Sequence, residues 1–212
     1  MFDPSPMDRD PHERPVWMDF YKIDREIIPG DLPEARGKAI QTTGFVDSDH
    51  AGDLVSRRSR AGVLVFMGRA AIIFYSKKQG SIESSSFGSE LSAMKTAVEL
   101  IEGLRYKLRM MGVPLDGPTY IKADNMSVVH NCSKPESQLK KKKSNSIAYH
   151  YVQERCAGQV CVVTYVPTQD NLANMLTKSH AHQGAGVVLT LFLVLLDFRS
   201  ALCASCLLQL GM

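Results

Sequence analysis

Three β-rich runs followed by one long amphipathic stripe fill the middle of this chain and leave few ways to fold it. Residues 42–47 (TTGFVD), 61–67 (AGVLVFM) and 70–76 (AAIIFYS) are short and rich in β-branched and aromatic residues. Gly68-Arg69 between the last two is a hairpin signal. Then Phe87, Leu91, Met94, Val98, Ile101, Leu104, Leu108 and Met111 recur at spacings of three and four, as on a helix with one apolar face. Ser84, Ser85 and Ser86 offer an N-cap, and Gly112 followed by Pro114 ends the stripe.

The rest of the pattern completes an architecture. Residues 119–123 (TYIKA) read as a short strand stopped by Asp124-Asn125, and residues 127–132 as a short helix. Residues 146–157 read as a further helix and 160–166 (VCVVTYV) as a strand. Residues 169–178 read as a last helix capped by Thr168. The order β-β-β-α-β-α-α-β-α predicts an α/β fold. Its mixed five-stranded sheet has three antiparallel strands and then two parallel ones, joined by right-handed crossovers, with helices packed on it.

A chain of 212 residues suits one such domain with tails. Residues 41–180 hold the predicted elements. Residues 1–40 are rich in Pro, Asp, Glu and Arg, with Trp17, Phe20 and Tyr21 as large apolar anchors. They read as an extended connection with one short helix near 17–27. Residues 181–212 hold only Asp197 and Arg199 among Asp, Glu, Lys and Arg. The uncharged run 185–196 is too short to span a bilayer, so a membrane partner is not expected. Two alternatives for this apolar tail are a membrane tether of other purpose and read-through into foreign sequence. The opening MFDPSPMDRDPHERP lacks the apolar core of a signal peptide, which predicts an intracellular, cytoplasmic protein. Of the five cysteines only Cys203-x-x-Cys206 is closely spaced. It has no second pair, so zinc is not expected and a reducing compartment is.

The charge pattern admits a nucleic-acid partner. Net charge is +3 and the pI is near 8.6. Basic residues gather at Arg57, Arg58 and Arg60, at Lys77 and Lys78, and along Lys140, Lys141, Lys142 and Lys143, each in a loop or at an element end.

Three carboxylates stand where a sheet enzyme needs them. Asp47 closes the first strand and Asp124 the fourth, and neighbouring parallel strands would set the two side by side at the edge where open α/β sheets bind ligands. Glu90 lies roughly 50° from the centre of its helix's apolar stripe, so it faces the sheet, whereas Glu99 falls on the water side. Converging carboxylates repel one another and cost energy to bury. Divalent cations resolve both problems, and hard oxygen ligands suit Mg²⁺. Two such ions about 4 Å apart can activate a water and stabilise the leaving oxygen of an in-line phosphodiester displacement. Read singly, Asp47 and Asp124 are equally well turn residues, and Glu90 a first-turn helix acid.

The surroundings of these acids decide between the readings. GFVDSDHAGD (44–53), RRSRAGVLVFM (57–67), SKKQ (76–79), SSSFGSEL (84–91), ADNMSVVHN (123–131), KKKSNSIAYHYVQE (141–154) and YVPTQDNLANMLTK (165–178) resemble, in order and spacing, the ribonuclease H domain of Ty1/copia-type retrotransposon polyproteins. The resemblance covers residues 40–178 and implies a C-terminal piece of such a polyprotein, since no polymerase motif is present. It implies a ribonuclease H-like fold and two Mg²⁺ or Mn²⁺ ions. The implied activity is endonucleolytic hydrolysis of RNA paired with DNA during reverse transcription. The implied partners are the RNA–DNA hybrid and the reverse transcriptase domain of the same element. By position, Asp47, Glu90 and Asp124 match the family's first three metal-binding, catalytic acids, and Asp49 a motif residue that is not a ligand. The fourth acid of the family falls where this chain reads Leu172-Ala173-Asn174, so Asn174 is a weakened fourth metal position. Asp170, one helical turn earlier, either compensates for it or simply favours the helix start. Loss of that charge leaves a second reading open: a relic that binds nucleic acid without cutting it. His130 and His150 read as packed or surface histidines, or as phosphate contacts.

Overall fold

The computed structural model describes Trp17, Phe20, Tyr21, Glu26, Ile28, residues 30–137, Leu139 and residues 145–177. The basic run Lys140–Lys143 and the tail 181–212 lie outside the described residues, as does most of the short helix expected near 17–27. Among the described residues no helix is long and apolar enough to cross a membrane.

Strands β1 (Thr42–Asp49), β2 (Arg60–Met67), β3 (Ala70–Lys78), β4 (Thr119–Ala123) and β5 (Cys161–Tyr165) form a sheet in the order β3-β2-β1-β4-β5. β1, β2 and β3 run antiparallel in sequence, and β4 and β5 run parallel to β1. This is the mixed sheet predicted from the element order. The β2–β3 hairpin turns on Gly68 at φ +59, a left-handed backbone that glycine enters without a Cβ clash. β1 and β2 are covered on both faces and are nearly continuously buried, whereas the edge strand β3 alternates.

Helix α1 (Ser86–Met110) packs across the sheet. Ser85 is its N-cap, accepting from the Gly88 N–H at 3.2 Å. Leu91, Met94, Val98 and Ile101 of the apolar stripe are wholly buried. The stripe fails at its last member: the helix stops before Met111, which is 67 % exposed, and Gly112 at φ +71 turns the chain away. Helices α2 (Met126–Ser133) and α3 (Ser146–Ala157) bracket the route from β4 to β5. Asn125 caps α2 by accepting from the Ser127 and Val128 N–H groups.

The expected helix over 169–178 is not one helix. A 3₁₀ turn, Thr168–Asp170, is followed by Asn171 in extended conformation and then by α4 (Asn174–Thr177). Pro167, not Thr168, precedes the turn. The break has a local cause. The Asn171 Oδ1 accepts from the Ala173 N–H at 3.1 Å while its amide donates to the Val46 carbonyl at 2.9 Å, so its side chain replaces helical bonds with contacts to β1. Asp170 is therefore not one turn ahead of Asn174 on a shared helix face.

The connection ahead of β1 packs onto the sheet domain. Trp17 is 7 % exposed and joins the core that includes Val46, Val98 and Val163. Glu26 meets Arg105, a side chain on α1 that is almost wholly buried. The Arg105 Nε and Nη2 donate to the Glu26 carboxylate at 3.0 and 2.7 Å, and its Nη1 donates to the Gly117 carbonyl at 3.0 Å. Arg109 adds a bond at 2.6 Å. Burial opposes the ionisation of Glu26, but the bonds from Arg105 and Arg109 outweigh it and hold the carboxyl below its usual range.

Candidate metal centre and nuclease site

The three acids meet. One carboxylate oxygen each from Asp47, Glu90 and Asp124 lies within 4.8 Å of the other two. The parallel register Phe45–Lys122, carried two residues further, sets Asp47 level with Asp124 at the carboxyl ends of β1 and β4. Glu90 comes from the first turns of α1, whose N-terminal end the Ser85 cap fixes over that edge. Asp47 is 7 % exposed and Glu90 9 %, so both carboxylates are largely withdrawn from water.

Burial, and then the nearby charges of Asp47 and Asp124, push the Glu90 carboxyl up to about 9, against a bond from the Ser48 N–H that favours its ionised form. At neutral pH and without a cation, Glu90 therefore holds a proton. An all-oxygen set of three converging acids, one of them kept protonated first by burial, has the chemistry of a hard divalent-cation site.

In its fold this arrangement has known counterparts. Over 64 % of its length the chain matches 93 % of the structure of LC11-RNase H1 in complex with RNA/DNA hybrid, with a TM-score of 0.51 and 16 % identity. It matches RNase H1 from the archaeon Halobacterium salinarum over the same shares, with a TM-score of 0.50 and 14 % identity. In sequence it is 27 % identical over 143 residues, 68 % of the chain, to the retrovirus-related Pol polyprotein from transposon RE2 of Arabidopsis thaliana. It is 31 % identical over 137 residues, 64 % of the chain, to that from transposon TNT 1-94 of Nicotiana tabacum. The chain has a ribonuclease H-like fold and is similar in sequence, over about two thirds of its length, to retrotransposon Pol polyproteins. It spans about 10 % of the length of each of these polyproteins. No protein-family model matches the sequence.

Within this ribonuclease H-like domain the remaining candidates fall in definite places. Asn174 opens α4, and its side-chain amide donates to the Thr168 carbonyl. Asp49 ends β1, with its carboxylate folded over Gly52, where an added Cβ would sit 1.7 Å from Oδ2. His150 is exposed on α3, where its ring hydrogen-bonds the Tyr21 hydroxyl at 2.7 Å and stands edge-on to Tyr149. His130 is exposed on α2.

The basic residues share an edge with the acids. The end of β1 pairs with the start of β2, which pairs with the end of β3: Asp49 faces Arg60, and Arg60 faces Lys78. Arg57 and Arg58, in the β1–β2 loop, and Lys77 are exposed there. Lys78 is committed to Asp53, whose carboxylate also takes the Ser56 hydroxyl and the Val55 N–H. Those bonds, the one from Lys78 first, hold the Asp53 carboxyl well below its usual range. They also fix the loop, in which Arg57 adopts φ +54.

Sequence reasoning missed four residues that build the site. Thr177 donates its hydroxyl to the Asp47 Oδ2. Asn171 grips the Val46 carbonyl. Gly62 lies across from Asp47, in space that any side chain would take from α4. The buried Gln79 donates to the Ser89 carbonyl at 2.8 Å and to the Ser48 hydroxyl at 3.4 Å, tying together the neighbours of Glu90 and Asp47. Thr177 and Gln79 lie inside the motifs YVPTQDNLANMLTK and SKKQ, but a motif match assigns no partner to a side chain.

Proposed function

We propose that this chain cuts the RNA strand of RNA–DNA hybrids endonucleolytically, using two divalent cations, Mg²⁺ or Mn²⁺, in retrotransposon reverse transcription. The observation that carries the reading is the meeting of Asp47, Glu90 and Asp124 within 4.8 Å at one sheet edge. The Pol polyprotein relatives support it. Divalent cations at such a site activate the attacking water and stabilise the leaving oxygen of an in-line displacement. The chain's own residues do the rest. Asp47, Glu90 and Asp124 hold the cations, and Asn174 offers a neutral amide oxygen at the fourth position. Arg57, Arg58 and Lys77, with Lys140, Lys141, Lys142 and Lys143, track the phosphates, and Lys78, shared with Asp53, adds less. Groove shape and 2′-hydroxyls distinguish RNA from DNA.

The catalytic body is residues 41–180. Residues 1–40 form the connection that follows the reverse transcriptase domain of the same element, and 181–212 an apolar tail. A cytoplasmic setting belongs to the same proposal and accords with the free thiols of Cys132, Cys156 and Cys161.

Asn174 favours one second reading: a domain that still grips hybrid but holds cations too weakly to cut. A labelled hybrid incubated with the chain and its Asp124→Asn variant, across a Mg²⁺ and Mn²⁺ titration, separates the two. Metal-dependent cleavage by the wild type, lost in Asp124→Asn, is expected. Binding without cleavage at any metal concentration identifies the relic, and failure to bind hybrid overturns both readings.

A further inference from the structure

Segment 171–177 is latched to the strand that carries Asp47. The Asn171 amide holds the carbonyl of Val46, immediately before Asp47. The Ser76 hydroxyl of β3 donates to the Leu176 carbonyl at 2.6 Å. One residue past the second anchor, over the bare backbone of Gly62, the Thr177 hydroxyl reaches the Asp47 Oδ2. Thr177 is 1 % exposed, so water does not compete for that contact.

A hydroxyl has one proton to donate. Here the Asp47 carboxyl and the Asn174 carbonyl, at 3.1 Å, both face it, and the closer group, Asp47, takes it. The bond ties the Asp47 Oδ2 to α4, in a carboxylate of which one oxygen lies within 4.8 Å of one each from Glu90 and Asp124.

We propose that Thr177 is a positioning residue of the metal centre, holding Asp47 in the orientation that receives a divalent cation and coupling that orientation to the docking of α4. The inference rests on the metal-binding reading of the three acids. Partners that orient a metal-bound carboxylate typically govern affinity by one to two orders of magnitude.

The test is calorimetric titration of Mn²⁺ into the metal-free full chain, which needs no nuclease activity. Thr177→Val keeps the shape and removes the donor; Thr177→Ser keeps the donor and removes the methyl. Mn²⁺ affinity is expected to fall roughly tenfold in Thr177→Val and to stay at the wild-type level in Thr177→Ser. Thermal unfolding without metal confirms that each variant is folded, and Thr177→Ala takes the place of valine should valine not be accommodated. Wild-type affinity in the donor-less variant overturns the proposal, as does a serine variant as weak as valine. A wild type that binds no Mn²⁺, indistinguishable from Asp124→Asn, overturns the metal-centre reading itself and this one with it.

Discussion

Asp47 faces Gly62 across the antiparallel β1–β2 pair, and the bare backbone at position 62 is what lets α4 lie against the strand carrying that acid. A Cβ on Gly62 would stand 2.8 Å from the Thr177 Cγ2 and 3.0 Å from both the Ala173 carbonyl oxygen and the Leu176 Cβ. The main-chain contact cannot be relieved by a rotamer change. Gly62→Ala is expected to push α4 outward, costing about 1–3 kcal/mol in denaturant unfolding and weakening metal binding along with it. An unchanged unfolding midpoint would show that α4 is not seated as tightly as the contacts require.

Glu90 gives the metal-free domain a distinctive pH response. Its folded-state pKa of about 9 lies above that of an ordinary glutamate, so between roughly pH 4.5 and 9 the folded chain holds a proton that the unfolded chain has released. Stability must then fall as pH rises through that window. Thermal midpoints measured from pH 5 to 9 in a chelator should decline by several degrees, and Glu90→Gln should flatten the decline. Mg²⁺ or Mn²⁺ displaces the proton and should restore the midpoint most at high pH. A midpoint that climbs with pH in the chelator would contradict the burial of this acid.

Hybrid binding should lose salt sensitivity in proportion to the phosphate contacts removed. Each cation that neutralises a phosphate contributes a slope of about −0.9 in log affinity against log salt. Replacing Arg57, Arg58 and Lys77 together with Ala should therefore flatten the slope by two to three units at most. Lys78→Ala alone should change it less, because its ammonium is engaged with Asp53. Replacing Lys140–Lys143 should flatten it further. Whichever set leaves the slope untouched lies off the duplex.

Asn174→Asp tests the missing charge. The substitution removes the amide that donates to the Thr168 carbonyl and adds an anion at the start of α4. If that position faces the cations, cleavage at limiting Mg²⁺ should rise on the order of tenfold, through tighter binding. Equal rates in the two proteins across the whole Mg²⁺ range would remove position 174 from the metal centre.

The strands and the long helix were legible because periodicity reports burial, and burial is what an apolar stripe such as Leu91, Met94, Val98 and Ile101 exists to achieve. The meeting of Asp47, Glu90 and Asp124 followed from strand order and helix phase. The path of residues 168–177 was not legible. Asn171 looked like one more polar residue in a helix, yet its amide binds a carbonyl 125 residues earlier, a tertiary bond that no local propensity encodes. The same holds for Gly62, whose role depends on a helix that arrives from the far end of the sequence. Lys78 was read from its charge alone, and Asp53, 25 residues away, absorbs it.

Arg105 sits inside the protein with Glu26 of the connection as its counter-ion among the described residues. A guanidinium left unpaired in that position costs about 3–5 kcal/mol, a large fraction of what holds a domain of this size together. The smallest independently folding version of this domain is thus cut upstream of position 26 rather than at the first strand. A protease that severed the chain between those points would loosen the hold of Glu26 on Arg105 and destabilise the domain without touching one of its acids.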